Sequence, residues 1–383
     1  MADKPFERGR AWIEVDLDAL AHNLADIRSK IPDTCEIMAV VKANAYGHGV
    51  EEVARRLVCE GIGAFAVATV SEGVELRDYV HDGDILVFGR THPEDAKILS
   101  DLKLSQLVVD GAYAKSLSDT GYSINVHVAI DTGMHRLGME LSNFSEIESV
   151  FGYENLNVEG VATHLSSPDG LRESDVKFTN AQLERFFAVV QKLKDKGYDT
   201  GKLHVQSSYG IYNYPQMQCD YVRPGIMMYG VKSQNDDTRL DTNLRPMLSL
   251  RAVIAQVRWI EAGECVSYGR TYTAQTPIKI ATVSIGYADG IPRHLSGKGG
   301  MCLVNGCKVP VIGRVCMDML ILDVTNVPHV EAGDIATLIG ADGDERIYCE
   351  DAAEAAGTIS NDLLSGLGAR LSRVYHQAKG EMR

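Results

Sequence analysis

The chain has 383 residues, 45% of them hydrophobic, so it can bury a large core and is long enough for two domains or one barrel with an addition. Its 52 acidic and 38 basic residues give a formal net charge of -14 without any basic run, which argues against nucleic acid as a partner. No apolar run approaches the ~20 residues of a membrane span, so we expect no membrane segment in this chain.

The eight cysteines show neither dense spacing nor a signal peptide, which favours a reducing compartment and free thiols. Cys302 and Cys307 could bind a metal, but no second Cys/His pair lies near them, so we predict no metal site. We expect a cytoplasmic location, either as a complete protein or as the cytosolic domain of a membrane-anchored parent.

Residues 16–240 alternate between short β-rich runs and longer segments with helical period, which is the pattern of a parallel sheet. The candidate strands are EIMAVVKA, AFAVAT, DILVFG, SQLVV, INVHVAID, NVEGVATHL, KLHVQSS and YVRPGIMMYG. Eight β/α units over about 220 residues have the size of a (β/α)8 TIM barrel. We therefore predict an α/β chain whose first large domain is such a barrel.

Residues 241–383 differ from residues 16–240 in their sequence pattern. After the polar stretch SQNDDTRLDTN, the runs are strand-like with frequent glycines, as in GMCLVNGCKVPVIGRVCMDMLILDVT. This indicates a mainly β C-terminal domain. The end of the chain, CEDAAEAAGTISNDLLSGLGARLSRVYH, predicts two short helices.

Polar residues cluster at the C-terminal ends of the predicted barrel strands, where barrel enzymes build their sites. Lys42 follows the first strand, Arg136 the fifth and His164 the sixth, while Arg223 lies in the eighth. The region after strands seven and eight is the usual phosphate site of barrels, because small residues there let backbone amides approach an anion. The residues that fit this role are Ser208, Gly225 and Ile226.

Lys42 stands where an apolar strand changes into a loop rich in Gly, His and Tyr. Burial lowers the pKa of a lysine, and its neutral amine can then attack an aldehyde. With a phosphate site across the barrel mouth, the obvious aldehyde is pyridoxal phosphate. The alternative is a lysine that snorkels from the strand end to water, which composition alone favours.

The stretch AVVKANAYGHG resembles the cofactor-lysine signature of the alanine racemase family, which joins a pyridoxal-phosphate barrel to a second β domain. The resemblance continues in order through IDTGMHRLG, ATHLSS, VRPGIMMYG, VSYGRTY, IGYADGIPR and GRVCMDM, so it covers nearly the whole chain. It implies that the N-terminal strand within residues 1–15, around RAWIEVDL, joins the β domain.

The resemblance also implies roles for single residues. Lys42 would hold the cofactor as a Schiff base, Arg223 would face the pyridine nitrogen, and His164 would hydrogen-bond that arginine. An arginine there should keep the ring nitrogen unprotonated and so restrain transamination. The implied cofactor-binding set is Lys42, Tyr46, His164, Ser208, Arg223, Gly225 and Ile226.

Racemisation removes the α-proton on one face and returns one on the other, so the resemblance implies two bases, Lys42 and Tyr268. In the family, Tyr268, Tyr287 and Met317 reach the site from the partner subunit, which implies a head-to-tail homodimer with shared active sites. The backbone amide at Met317 would contact the carboxylate of the amino-acid substrate, with Arg136 nearby.

Two positions depart from the family pattern. Many members carry a carbamylated lysine where this chain has Ala129, so Arg136 needs another partner. Asn361 replaces a tyrosine that walls the pocket around the substrate methyl, an exchange shared with the serine racemases of vancomycin-resistance systems. Asparagine is smaller and carries a donor and an acceptor. We therefore expect L-serine as substrate, with alanine retained, and a D-amino acid supplied for peptidoglycan precursors.

Three alternatives remain open. The chain could be a dedicated alanine racemase in which Asn361 is a tolerated substitution. It could be a pyridoxal-phosphate amino-acid decarboxylase, although these enzymes generally pair the ring nitrogen with a carboxylate, unlike Arg223. It could also be a non-catalytic pyridoxal-phosphate carrier, but such carriers lack the second domain and its Tyr268.

Overall fold

The computed structural model describes residues 9–217 and 219–377. The first strand, β1 (Ala11–Asp16), pairs antiparallel with the long strand β11 (Leu248–Ile260) and parallel with the last strand, β20 (Ser372–His376). The segment Ala11–Asp16 is therefore built into the sheet of the C-terminal domain. Residues 1–8 of the predicted N-terminal segment lie outside the described residues.

The barrel closes through eight parallel strands, as the sequence predicts. Strand β2 pairs with both β3 and β10, and the pairing of β5 with β6 completes the ring. These strands are nearly continuous runs of apolar residues because helices cover their outer face. The strands are β2 (Glu36–Val40), β3 (Ala64–Val67), β4 (Asp84–Val87), β5 (Leu104–Val108), β6 (Ile124–Asp131), β8 (Leu156–Ala162), β9 (Lys202–Ser207) and β10 (Tyr221–Arg223), with a two-residue addition, β7 (Met139–Glu140), beside β6.

The longest helix, Glu173–Asp195, buries Leu183, Phe186, Val190 and Leu193. Such spacing places these side chains on one face of a helix. The other helices of the barrel domain are Leu17–Arg28, Val50–Cys59, Val70–Arg77, Ala96–Asp101, Gly111–Ser118, Phe144–Val150 and Ser208–Asn213.

The second domain is mainly β, as predicted. Residues 224–247 connect β10 to β11, and the domain boundary predicted at residue 240 stays a prediction within this connection. The remaining strands are β12 (Cys265–Val266), β13 (Tyr272–Thr273), β14 (Ile278–Val283), β15 (Met301–Val304), β16 (Cys307–Ile312), β17 (Leu320–Asp323), β18 (Ile335–Asp342) and β19 (Glu345–Ile347).

The prediction for the chain end is partly wrong. Helices form at Cys349–Ala356 and Ser360–Ser365, but Ser372–His376 is strand β20. Gly366 and Gly368 follow the second helix and favour its end. Strand β1 then offers a free edge, whose amides and carbonyls β20 satisfies.

The eight cysteines are free thiols. In the described part of the chain, no helix is long and apolar enough to cross a membrane.

Candidate active site

A cavity of about 440 Å³ opens at the C-terminal ends of the barrel strands, a volume typical of small-molecule sites. Nine of the residues singled out in the sequence line it: Lys42, Tyr46, Arg136, His164, Ser208, Arg223, Gly225, Ile226 and Asn361. Tyr268, Tyr287 and Met317 are absent from its wall. The folded chain thus brings most of the predicted site together but leaves three members outside it.

The segment after strand β2 has an unusual backbone. Residues Lys42–Tyr46 form a left-handed turn, in which Ala43, Asn44 and Ala45 have φ values of 53°, 53° and 54° and Tyr46 has 51°. Left-handed helical geometry costs a residue with a Cβ about 1–2 kcal/mol, so surrounding contacts must hold four such residues in sequence. The sequence contains no signal for this turn, because none of the four residues is glycine.

Glu72 is one of the groups that hold this turn. Its Oε1 accepts a hydrogen bond from the backbone N–H of Ala43 at 2.7 Å, and its Oε2 accepts one from that of Ala68 at 2.7 Å. The sequence TVSE is a recognisable capping box, and Thr69 and Glu72 do form one at the start of a helix. Its second role, next to Lys42, becomes visible only in the folded barrel.

Lys42 occupies a partly desolvated, electropositive position. Burial lowers the pKa of its ammonium, and the positive charge of Arg136 lowers it further, while Glu72 opposes these effects. A larger fraction of the amine is therefore neutral at a given pH than for a lysine in water. This is the state in which Lys42 can act as a nucleophile or accept a proton.

Another part of the cavity wall, which we call the cradle, is formed by Tyr46, Ser208 and Gly225. The backbone N–H groups of Gly225 and Met227 donate to Ser208 Oγ at 3.0 and 3.4 Å. A Cβ added at Gly225 would lie 2.6 Å from the hydroxyl of Tyr46. Burial raises the pKa of Tyr46 to about 12, so it remains a neutral hydrogen-bond donor. Amides, a hydroxyl and a phenol at this point suit a phosphate group.

Arg223 is a buried guanidinium whose partners are neutral. It donates to the carbonyl oxygens of Thr163 and Val205 at 2.7 and 3.1 Å and to Nδ1 of His204 at 2.7 Å. Burial lowers its pKa to about 10, which leaves it charged at neutral pH. A cation held this way beside a cavity suits a ligand atom with a free lone pair.

The predicted hydrogen bond between His164 and Arg223 is long, with 3.4 Å between Nδ1 and Nη2. Sequence reasoning missed His204, which makes the shorter contact, and His127, whose Nδ1 lies 2.8 Å from His204 Nε2. The two rings meet because Gly160 on the intervening strand lacks a side chain; a Cβ there would lie 2.4 Å from His127 Nδ1. In the sequence, the one indication of this contact is that His127 in HVAID and His204 in LHVQS occupy inward-facing positions of their strands.

The arrangement fixes the protonation of this chain of groups. Arg223 donates to His204 Nδ1, so the neutral His204 ring carries its proton on Nε2 and donates it to His127. Burial keeps His204 neutral by holding its pKa well below the usual range, and it lowers the pKa of His127 to about 4. The arginine is thus oriented by neutral rings and keeps its full positive charge.

Asn361 lines the cavity from the helix Ser360–Ser365 of the second domain. Its side-chain Oδ1 is buried and has no hydrogen-bond partner among residues 9–217 and 219–377. An unpaired buried acceptor is energetically costly, so a ligand hydroxyl that donated to it would be stabilised.

The wall near Arg136 contains Ala129, which is buried and lines the cavity. The nearby carboxylate of Asp131 accepts from the backbone N–H groups of Gly133 and His135 at 2.9 and 3.1 Å, and it also pairs with the His135 ring. The carboxylate of Asp131, which lines the cavity together with Arg136, is therefore already hydrogen-bonded to other groups.

Tyr268, Tyr287 and Met317 lie on neighbouring turns of the second domain and are 70%, 41% and 52% exposed. The backbone N–H of Tyr287 donates to Cys316 at 3.0 Å, and the hydroxyl of Ser267 donates to the carbonyl of Arg314 at 2.6 Å. The three side chains consequently form one exposed surface on connected turns.

Comparison with known proteins gives matches along both domains. Residues 15–233 match the family described as alanine racemase, N-terminal domain, and residues 247–375 match alanine racemase, C-terminal domain. The alanine racemase of Carboxydothermus hydrogenoformans is 38% identical over 95% of this chain and 99% of its own length.

Two Enterococcus relatives are longer. An amino-acid racemase of Enterococcus faecalis is 42% identical, and the serine/alanine racemase of Enterococcus gallinarum is 39% identical; each match covers 95% of this chain but 51% of the relative. The chain therefore spans about half the length of these two proteins. Among solved structures, the Bacillus anthracis alanine racemase with bound L-Ala-P superposes with a TM-score of 0.90 at 33% identity, over 99% of this chain and 98% of that one.

The assignment of the cradle as the phosphate site can be tested by adding a side chain at Gly225. Gly225→Ala should weaken pyridoxal-phosphate binding about 5- to 150-fold, the factor that corresponds to overpacking by one methyl group, because the new Cβ collides with the Tyr46 hydroxyl. Absorbance titration of the cofactor measures this. The control is Gly152→Ala, whose nearest neighbour would be 3.5 Å away. Unchanged affinity in Gly225→Ala would refute the assignment.

The buried histidines should make the fold acid-sensitive. The pKa of His48 and of His127 is lowered from 6.5 to about 4 by burial, so the unfolded state binds more protons between these values. The stability that they contribute is complete above pH 6.5 and is lost as the pH falls towards 4. We expect urea denaturation between pH 6.5 and 5 to show a slope that His127→Gln reduces by up to ~1.4 kcal/mol per pH unit. The exposed His92→Gln is the control; an unchanged slope in His127→Gln would contradict this assignment.

Proposed function

Because the chain belongs to the alanine racemase family, we propose that it interconverts the L- and D-forms of serine and of alanine. The family depends on pyridoxal phosphate, and the residues at the barrel mouth fit that cofactor. The observation that supports this proposal best is Lys42, whose pKa is lowered by burial, facing a cavity that also holds the uncompensated guanidinium of Arg223.

The residues that would hold the cofactor follow from the geometry. Lys42 would bind its aldehyde carbon, and Tyr46, Ser208 and the backbone at Gly225 and Ile226 would hold its phosphate. When bound, pyridoxal phosphate supplies an electron-withdrawing group that acidifies the Cα–H bond of the amino acid. The charged Arg223, oriented by His204 with His164 beside it, would donate a hydrogen bond to the ring nitrogen and keep that nitrogen unprotonated.

Two groups would move the proton at the substrate Cα. Lys42 Nζ, once the substrate amine had replaced it at the aldehyde carbon, would be a free neutral amine that accepts or returns the proton on one face, and the hydroxyl of Tyr268 would serve the other. Tyr268 lies outside the cavity of its own chain and is 70% exposed, which supports its entry into the cavity of a second subunit. We accordingly propose a head-to-tail homodimer in which Tyr268, Tyr287 and Met317 complete the partner's site.

The substrate carboxylate would be bound by the backbone amide at Met317, with Arg136 supplying positive charge from the barrel side. The preference for serine rests on Asn361, which lines the cavity and whose side-chain Oδ1 has no hydrogen-bond partner among the described residues; a rotation of this amide towards the cavity would let Oδ1 accept a hydrogen bond from the substrate hydroxyl. Alanine would still fit, because its methyl group is smaller than the hydroxymethyl group of serine. Binding alanine would leave Oδ1 without a hydrogen bond, and this is the cost that disfavours alanine. The product would be a D-amino acid suited to peptidoglycan precursors.

A dedicated alanine racemase is the second candidate, since relatives with that name match over nearly their full length. The decarboxylase alternative is less well supported, because the partners of Arg223 are carbonyls and imidazoles rather than a carboxylate. A non-catalytic carrier would not need the exposed Tyr268.

The substrate can be assigned with a chiral assay of the protein loaded with pyridoxal phosphate and given L-serine or L-alanine. We expect D-serine to form, and Asn361→Tyr and Asn361→Leu both to lower the serine-to-alanine ratio of kcat/KM about tenfold, the upper value for one neutral hydrogen bond. Asn361→Leu is the control for shape, since it keeps the branched heavy-atom skeleton of asparagine but removes the acceptor. An unchanged ratio in both variants would sink the assignment.

Shared active sites can be tested by mixing two inactive variants. Lys42→Ala and Tyr268→Ala should each be inactive as homodimers, whereas a heterodimer should contain one intact site. After reversible dissociation and random reassociation, we expect about a quarter of the wild-type activity to return. No recovery, with heterodimers demonstrated by native mass spectrometry, would argue against Tyr268 acting across the interface.

A further inference from the structure

One arginine of the second domain contacts the segment that carries Lys42. Arg373 in β20 donates its Nε–H to the carbonyl oxygen of Gly47 at 2.8 Å, directly after the left-handed turn. Its Nη1 and Nη2 donate to the carbonyl oxygens of Leu371 at 3.1 Å and Leu367 at 3.5 Å. A single guanidinium thus ties backbone of the barrel loop to backbone of the C-terminal segment.

The two segments fit closely along this contact. The hydroxyl of Tyr375 donates to the carbonyl oxygen of His48 at 3.2 Å. A Cβ at Gly47 would lie 2.2 Å from the carbonyl oxygen of Leu364, and one at Gly49 would lie 1.9 Å from the Tyr375 hydroxyl. Glycine is required at both positions because the C-terminal segment occupies the space.

The C-terminal segment in this contact is connected to the helix that brings Asn361 to the cavity wall. Leu367 follows the helix Ser360–Ser365, which carries Asn361. Arg373 therefore touches the loop after Lys42 with one nitrogen and the segment after the Asn361 helix with another.

We propose that Arg373 is a positioning residue that holds the Lys42 turn in its left-handed form and sets its placement relative to the Asn361 helix. The roles of Lys42 and Asn361 in this statement rest on the proposed function, whereas the mechanical link does not. The physical reason is strain: four consecutive residues with a Cβ and positive φ would relax towards ordinary backbone conformations without an external constraint.

Hydrogen exchange of the cofactor-loaded protein tests the mechanical link. Arg373→Met keeps an apolar stem but removes the guanidinium. It should speed exchange in residues 43–50 and 361–367 about 10- to 150-fold, the range for one charged hydrogen bond, while the helix Glu173–Asp195 stays protected. Arg346→Met, an exposed arginine of the same domain, is the control. Unchanged protection of residues 43–50, or an equal rise along the whole chain, would overturn the proposal.

A variant that relieves the backbone strain of the Lys42 turn distinguishes a loss of positioning from a general loss of stability. Ala43 is exposed and has a φ of 53°, which glycine adopts without penalty. Arg373→Met should weaken the visible circular dichroism of bound pyridoxal phosphate, and the double variant Ala43→Gly/Arg373→Met should recover it. A band that does not weaken, or that the double variant fails to recover, would contradict the role of strain.

The two proposals fail in different ways. If the wild-type protein formed neither D-serine nor D-alanine, the proposed function would fall while the exchange and dichroism results would still decide the role of Arg373. If both D-amino acids formed and exchange in residues 43–50 did not respond to Arg373→Met, only the role of Arg373 would fall.

Discussion

A buried guanidinium without a carboxylate partner is the constraint on which the chemistry of the barrel mouth depends. Within residues 9–217 and 219–377, the hydrogen bonds of Arg223 go to neutral acceptors on Thr163, Val205, His204 and His164, so no anionic partner offsets its charge at the cavity. Burial, followed by the positive charge of Arg223, lowers the pKa of His164 to about 3. Anionic or electron-rich ligands are stabilised in such a place, and a protonated ring nitrogen is not.

The charge of Arg223 remains usable because the histidines beneath it are neutral. His204 accepts a hydrogen bond from Arg223 at Nδ1 and donates its Nε2–H to His127, and both imidazole rings are neutral. A carboxylate in place of His204 would cancel the guanidinium charge and favour a proton on a ring nitrogen above it. In the proposed function, this arrangement would favour some of the reactions that pyridoxal phosphate can support over others.

The second domain completes the site from two directions. Strands β1 and β20 pair in one sheet, and the segment before β20 brings Asn361 to the cavity. The turns with Tyr268, Tyr287 and Met317 do not line this cavity, and the three side chains are exposed. One domain therefore builds a wall of its own site and presents a separate surface that a second subunit could use.

The sequence by itself determined the eight-strand barrel, the β-rich second domain and the candidates Lys42, Arg223 and Ser208, because period, turn residues and strand-end chemistry are local properties. Family resemblance added the roles of Tyr268 and Met317, which no local pattern carries. Only the tertiary structure decided that Lys42 begins a left-handed turn, that His204 and His127 lie in contact, and that Ser372–His376 is a strand. Each of these features involves contacts between residues far apart in sequence, such as Glu72 with Ala43, Gly160 beside His127 or strand β20 beside β1. These residues come close together only when the barrel has closed and the second domain has packed against it.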